Sequence, residues 1–236
     1  MGDNIDFAWE FSNKGYGEIT VFGQQIIIND TLLGTILIGG VLILLAIFIR
    51  IKSKNFNADV PDSKFQNLIE MICEKMHNFT ISNMTEKYAY FGQWFFGMFA
   101  FILFSNLSGL VGMRPPTADI ATTGAFAVST IFLVHFMGIF KQRKEYWKSY
   151  ISPNPVFLPI NIVGEIAPLI SLTFRMFGNI FAGLVTMGLF YSLLPWFVQV
   201  TLPAPLHMYF DLFAGGLQAF IFTVLSMVFI KNKCPD

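Results

Sequence analysis

The chain has 236 residues, of which 54% are hydrophobic, 17% aromatic and only 13% charged. A soluble domain carries about twice that share of charge, so the composition excludes a soluble enzyme or a disordered chain and describes an integral membrane protein. Fifteen Lys and Arg balance fifteen Asp and Glu, and a net charge of zero argues against nucleic acid as a partner.

In chain order, residues 1–25 read as an extracytoplasmic segment ahead of a single membrane domain at 26–236. Asp3, Asp6, Glu10 and Glu18 face only Lys14 there, unlike the basic start of a secretory signal. The first membrane span is expected at 26–49. It is uncharged after Asp30 and stops at Arg50-Ile51-Lys52-Ser53-Lys54. Over about 62–90, Phe65, Leu68, Ile69, Ile72, Met76 and Phe79 recur at helical spacing, with Lys64, Glu70, Glu74 and Lys75 elsewhere on the wheel. That pattern predicts an amphipathic helix in the interface, either a surface anchor or a docking face for a partner.

A second span is expected at 91–113, ending at Arg114-Pro115-Pro116. Asp119 then reads as the cap of a third span at 120–140, closed by Lys141-Gln142-Arg143-Lys144. The fourth apolar run, 156–190, is long: about 35 residues make roughly 52 Å of helix, against a hydrocarbon core of about 30 Å. It must tilt, lie partly across the membrane, or split in two. A fifth span at 206–230 is followed by Lys231 and Lys233.

Positive charge settles the orientation. The stretches Arg50–Lys54 and Lys141–Lys148 belong in the cytoplasm, and the acidic N-terminus outside. A single tilted crossing of the fourth run then leaves Lys231 and Lys233, and the C-terminus, inside. The fold class is all-α: a polytopic, multi-pass membrane protein with five spans and one interfacial helix. Cys73 and Cys234 match no CxxC or zinc spacing and read as structural thiols. No internal repeat, metal-ligand spacing or cofactor motif is visible.

Three ionisable residues lie inside apolar runs, where the default reading is functional. Arg175 is flanked by Leu172, Phe174, Met176 and Phe177 and cannot shed its proton. At a helix centre such a charge costs ~2.5–3.5 kcal/mol on insertion scales. Pro168, Ser171, Arg175 and Asn179 follow the i, i+3/i+4 spacing of one stripe. Gly178, Ala182 and Gly183 beside it permit a close helix approach. Asp211, Gly215, Gln218 and Phe222 form a similar stripe in the fifth span. Two such stripes suit an ion path; alternatively Asp211 is the buried partner of Arg175. Glu165 is the third intramembrane charge. His77, His135 and His207 read as scattered structural or interfacial residues.

The run Pro168-Leu169-Ile170-Ser171-Leu172-Thr173-Phe174-Arg175-Met176-Phe177-Gly178-Asn179-Ile180-Phe181-Ala182-Gly183 resembles the signature of subunit a of F-type ATP synthases. So does Leu217-Gln218-Ala219-Phe220-Ile221-Phe222. Asn106-Leu107-Ser108-Gly109-Leu110, with Pro115-Pro116-Thr117-Ala118-Asp119, is similar to that family's second-span exit. The resemblance implies a stator subunit beside a ring of c subunits, held by peripheral-stalk b subunits, in the lipid bilayer of a bacterial plasma membrane. It implies two half-channels carrying protons or sodium ions, and a long tilted hairpin formed by the fourth and fifth spans. The family's essential Arg maps to Arg175, with Asn179 as its polar neighbour and Gln218 as the residue facing it.

This chain departs from the pattern at Leu184, where many members carry Glu. It also has Asp211, where many carry His or an acid seven residues before the Gln. The channel carboxylate is therefore expected to have moved to Asp211, with Glu165 as the other candidate. There is no Walker-type GxxxxGK[ST] loop, so the chain binds no nucleotide by that motif; the resemblance implies that a catalytic head elsewhere in the complex forms ATP. The rival function class is a stand-alone secondary transporter, which usually shows paired repeats.

Overall fold

A computed structural model describes residues 15–21, 24–56, 63–152, 154–195, 198, 201 and 203–234. The acidic residues Asp3, Asp6 and Glu10 lie outside the described residues. The chain enters through an antiparallel hairpin, β1 (Gly15–Val21) and β2 (Gln24–Asn29), in which Gly17 pairs with Ile28 and Ile19 with Ile26. Sequence reading placed the start of the first span in this segment. The β-branched residues Ile19, Thr20, Val21 and Ile26–Ile28 pair as strands instead, as their shape favours.

Helix α1 (Asp30–Ser53) therefore starts four residues later than expected and runs correspondingly further. Its start is locally encoded: Asn29 Oδ1 accepts from the Leu32 amide at 2.9 Å and Asp30 lies in the first turn. α1 buries only Thr31, Gly34 and Ile38, one narrow stripe. Gly34 is needed there, because a Cβ would stand 3.0 Å from Pro116. The remaining surface of α1 is apolar and exposed, as a lipid-facing helix requires.

The amphipathic α2 (Lys64–Asn83) opens with Ser63 Oγ accepting from the Gln66 amide, then leads through a 3-10 turn (Glu86–Phe91) into α3 (Gly92–Leu107). α3 ends in another 3-10 turn at Ser108–Val111, stopped by Gly112 in the left-handed region at φ 76°. Asp119 caps α4 (Ile120–Gln142) through Ala121 N at 3.0 Å. A short helix that sequence reading did not place, α5 (Lys144–Ile151), follows directly. Next comes α6 (Leu158–Leu193), unbroken over 36 residues despite Pro168. The fourth run thus does not split, and a helix of about 54 Å has to tilt to fit one membrane.

The last span is composite: α7 (Pro203–His207), a π-helical segment (Met208–Ala214) and α8 (Gly215–Lys233). Among the described residues, five helical stretches are long and apolar enough to cross a membrane: Asp30–Ser53, Glu86–Val111, Ile120–Gln142, Pro155–Leu193 and Pro203–Lys233.

The core sits where α3, α4, α6 and α8 meet. Phe95, Ile102, Ala127, Leu172, Met176, Phe222 and Met227 are buried there. Small polar residues line its seams, as in other membrane bundles. Thr130 and Ser226 hydroxyls meet at 3.4 Å. Asn106 Nδ2 donates to the Gly215 carbonyl at 2.8 Å and its Oδ1 accepts from Thr117 at 2.6 Å. A Cβ on Gly215 would stand 2.8 Å from Asn106 Cβ, so glycine there lets α3 and the last span touch backbone to side chain.

Candidate functional site

Three positions of interest lie along α6, and helix rise separates them. Glu165 is about 15 Å from Arg175, and Leu184 is about 14 Å beyond it in the other direction.

Arg175 is exposed. Its Nη2 donates to Ser171 Oγ, one turn back, at 3.3 Å, and it meets no carboxylate among the described residues. Ser171 and Gly178 on the same face are also exposed, Asn179 is half-buried, and open space surrounds Gly178. The adjoining face carries the buried Leu172, Met176 and Ile180. The predicted stripe therefore points away from the core of the chain, among exposed Ile170 and Phe174. A charged group on such a surface cannot face lipid without heavy cost.

Asp211 is not the partner of Arg175. Its Oδ2 lies 2.6 Å from His207 Nδ1, one turn earlier, and His207 Nε2 lies 3.3 Å from the Tyr191 hydroxyl. Asp211 lies in the π-helical segment, whose turn is the wider i→i+5 kind, ahead of Gly215 and Gln218 on α8. Gln218 instead turns inward: it is 5% exposed, and its Nε2 is buried without a hydrogen-bond partner among the described residues. Asp211 packs on Gly109, where an added Cβ would stand 2.7 Å from its carboxyl carbon. The predicted juxtaposition of two facing polar stripes is thus not what this chain forms alone.

His207, Asp211 and Tyr191 border a cavity of about 820 Å³, with Leu184, Asp30, Tyr16 and Arg114 among the other lining residues. It sits between the start of α1, the exit of α3 and the last turns of α6. Tyr16 of the hairpin reaches across its rim to donate to Asp30 at 2.7 Å. Leu184 and Asp211 share this one cavity, although 27 positions separate them in the sequence.

Glu165 belongs to the other end. It forms an ion pair with Lys233, the last residue of α8. The Lys233 ammonium also stands 5.7 Å over the Tyr146 ring and 5.9 Å over Tyr150. Tyr146 and Tyr150 hydroxyls lie 2.7 Å apart, and His135 Nδ1 is 2.6 Å from Tyr146. Burial, and then the bond to Tyr150, push the Tyr146 phenol well above its ordinary value, so it stays neutral. Glu165 and Leu184, which shares the Asp211 cavity, are therefore about 28 Å apart along the α6 axis, with Arg175 between them.

Sequence reading missed His207, Tyr191, Lys233 and the Tyr146–Tyr150 pair. The i, i+4 spacing of His207 and Asp211 signalled the first. Nothing local signals an ion pair between residues 68 positions apart.

Residues 33–231 match the family described as ATP synthase A chain. The chain is 34% identical to ATP synthase subunit a 2 of Acaryochloris marina, over 86% of this chain and 84% of that protein. It is 32% identical to ATP synthase subunit a of Bacillus subtilis, over 94% and 98% respectively. A subunit a of Propionigenium modestum, described as sodium ion specific, is 34% identical over 83% of this chain and 72% of its own length.

Proposed function

The chain belongs to the ATP synthase A chain family, and from that premise we propose that it is the ion-conducting stator of a rotary F-type ATP synthase, working against a ring of c subunits. It is a multi-pass membrane protein, and the positive charge in its loops supports an external N-terminus and a cytoplasmic C-terminus.

The observation that carries this reading is Arg175. It lies midway along a 36-residue apolar helix, exposed, unpaired with any acid among the described residues, and beside glycine surface open to a close neighbour. Such a surface calls for a polar or acidic partner within the membrane. A ring carboxylate supplies one. It crosses lipid only when neutralised, and a fixed cation favours its ionised form. Arg175 thus promotes release of the bound ion as each carboxylate arrives, and it repels any ion moving straight between the two ends. Each elementary charge descending the potential contributes ~2.3 kcal/mol per 100 mV, which biases rotation.

The cavity at Asp211 supplies the outer half-channel, and Glu165 marks the cytoplasmic one. Asn179 and Ser171 flank Arg175, and Gln218 completes the site once the ring is docked. The chain Tyr191–His207–Asp211 consists of titratable groups within hydrogen-bonding distance, an arrangement suited to protons. Sodium is the second reading, favoured by the 34% identity to a relative described as sodium ion specific. Purification in mild detergent tests the stator reading: ring and peripheral-stalk subunits should accompany this chain, whereas a stand-alone transporter would purify alone. Gradient-driven synthesis that persists without sodium, in the purified complex reconstituted into sealed vesicles, selects protons.

A further inference from the structure

We propose that the corner between α4 and α5 binds an anionic phospholipid, with its headgroup on Lys141, Arg143 and Lys144 and an acyl chain along Val128, Phe132, Phe136 and Phe140.

The headgroup site is a cluster of cations without counter-ions. Lys87, Lys141, Arg143, Lys144 and Lys148 are all exposed, and none forms an ion pair among the described residues, although Glu86 and Glu145 lie next to them in sequence. Lys87 and Lys141 both stand over the Tyr88 ring, each 5.7 Å from its centroid. Like charges gathered on one ring are relieved by an anion. The chain is also bent here at a cost. Arg143 has φ 49° and ψ −112°, a conformation unfavourable for a bulky side chain. That bend ends α4 and sets Arg143 and Lys144 at the corner rather than along one rod. Beyond it, α5 buries Tyr146 against Gly138 and turns Trp147 outward, 61% exposed. Tryptophan beside lysines is the composition of a membrane interface, and basic clusters there attract anionic lipid.

An apolar track leads away from this corner. The Phe132, Phe136 and Phe140 rings stack in sequence at 6.2 and 6.3 Å, nearly parallel, and all three are exposed. The track continues into a crevice of about 500 Å³ between α3 and α4, lined by Trp94, Val128 and Leu133 among others. From Val128 to Phe140 is about 18 Å of helix, close to the ~15 Å depth of one leaflet's hydrocarbon. A groove one leaflet deep, ending on unpaired cations, matches a single amphiphile with an anionic head better than it matches a protein helix.

The test uses the assembled complex in phosphatidylcholine vesicles doped with phosphatidylglycerol or phosphatidylcholine carrying a diazirine on one acyl chain. After illumination, labelled peptides are mapped by mass spectrometry. The phosphatidylglycerol probe is expected to label residues 128–140 roughly fivefold or more above the phosphatidylcholine probe. High salt, and the variant Lys141→Gln/Arg143→Gln/Lys144→Gln, should both collapse that ratio toward one. The salt titration needs no variant, so an unstable triple mutant leaves the test intact. Equal labelling by both probes in the wild type would reduce the site to bulk lipid contact and overturn the proposal. So would an absence of labelling because another subunit covers the segment, or a ratio that survives both salt and substitution.

Discussion

His207 Nδ1 and Asp211 Oδ2 lie 2.6 Å apart across the irregular turn that opens the last span, and Leu184 lines the same cavity. The pairing gives Asp211 a titratable neighbour and a route through Tyr191. Arg175, for its part, meets no carboxylate among the described residues.

The first prediction concerns that carboxylate. Asp211→Asn keeps the shape and removes the titrating proton, so proton-driven synthesis should fall by about tenfold or more. Because Leu184 borders the same space, Asp211→Asn combined with Leu184→Glu should recover a measurable part of the rate. Unchanged synthesis in reconstituted Asp211→Asn vesicles would remove Asp211 from the path and leave Glu165 as the remaining acidic candidate.

Gly109 offers a test that leaves every titrating group in place. A Cβ there would stand 2.7 Å from the Asp211 carboxyl carbon, so Gly109→Val must push that carboxylate off His207. Synthesis should drop as in Asp211→Asn, while the amount of assembled complex stays close to normal. Full activity in the assembled variant would show that the position of Asp211 is immaterial.

Much of the fold was legible because a bilayer leaves few options: each backbone polar group must be satisfied within the span. Apolar runs of about 20 residues therefore read directly as helices, and the excess length of the fourth run forecast one long helix or a break. The hairpin at Gly15–Asn29 was missed because Ile26–Ile28 reads equally as a strand or as the first turn of a span. The π-helical segment at Met208–Ala214 has no local signature. It is seen only with Asp211 packed on Gly109, over a hundred positions away in the sequence. In the candidate site, the stripe Ser171–Arg175–Asn179 was readable because all its members sit on one regular helix. Asp211 and Gln218 lie on either side of the junction between the π-helical segment and α8, which a regular helical wheel does not describe.

The orientation argument yields a labelling prediction. All Lys and Arg except Lys14, Arg114 and Arg175 fall on the proposed cytoplasmic side. In a background lacking Cys73 and Cys234, Ser149→Cys on the exposed face of α5 should react with a membrane-impermeant maleimide only from the cytoplasmic side. Tyr16→Cys on the hairpin should react only from outside. The opposite sidedness at both positions would invert the topology and exchange the two half-channels.

The last prediction addresses Arg175 itself. Removing an intramembrane charge eases insertion by an order of ~2.5–3.5 kcal/mol, so Arg175→Ala should reach the membrane and assemble at normal levels. A purely structural role for Arg175 would then cost little further, since among the described residues its side chain bonds only to Ser171. The coupling role predicts the reverse. Without the fixed cation, ring carboxylates have nothing to favour their ionised form and no barrier separates the two ends of α6, so ion-driven synthesis should be lost. Passive ion leak through the membrane sector should rise in the same vesicles, and a simple assembly defect would not produce both effects. Arg175→Lys distinguishes charge from geometry. A compact ammonium carries the same charge but lacks the planar five-donor fork, and it can give up its proton where a guanidinium cannot. Arg175→Lys should therefore fail in synthesis while leaking less than Arg175→Ala. Substantial synthesis by Arg175→Ala would sink the stator assignment of this residue outright.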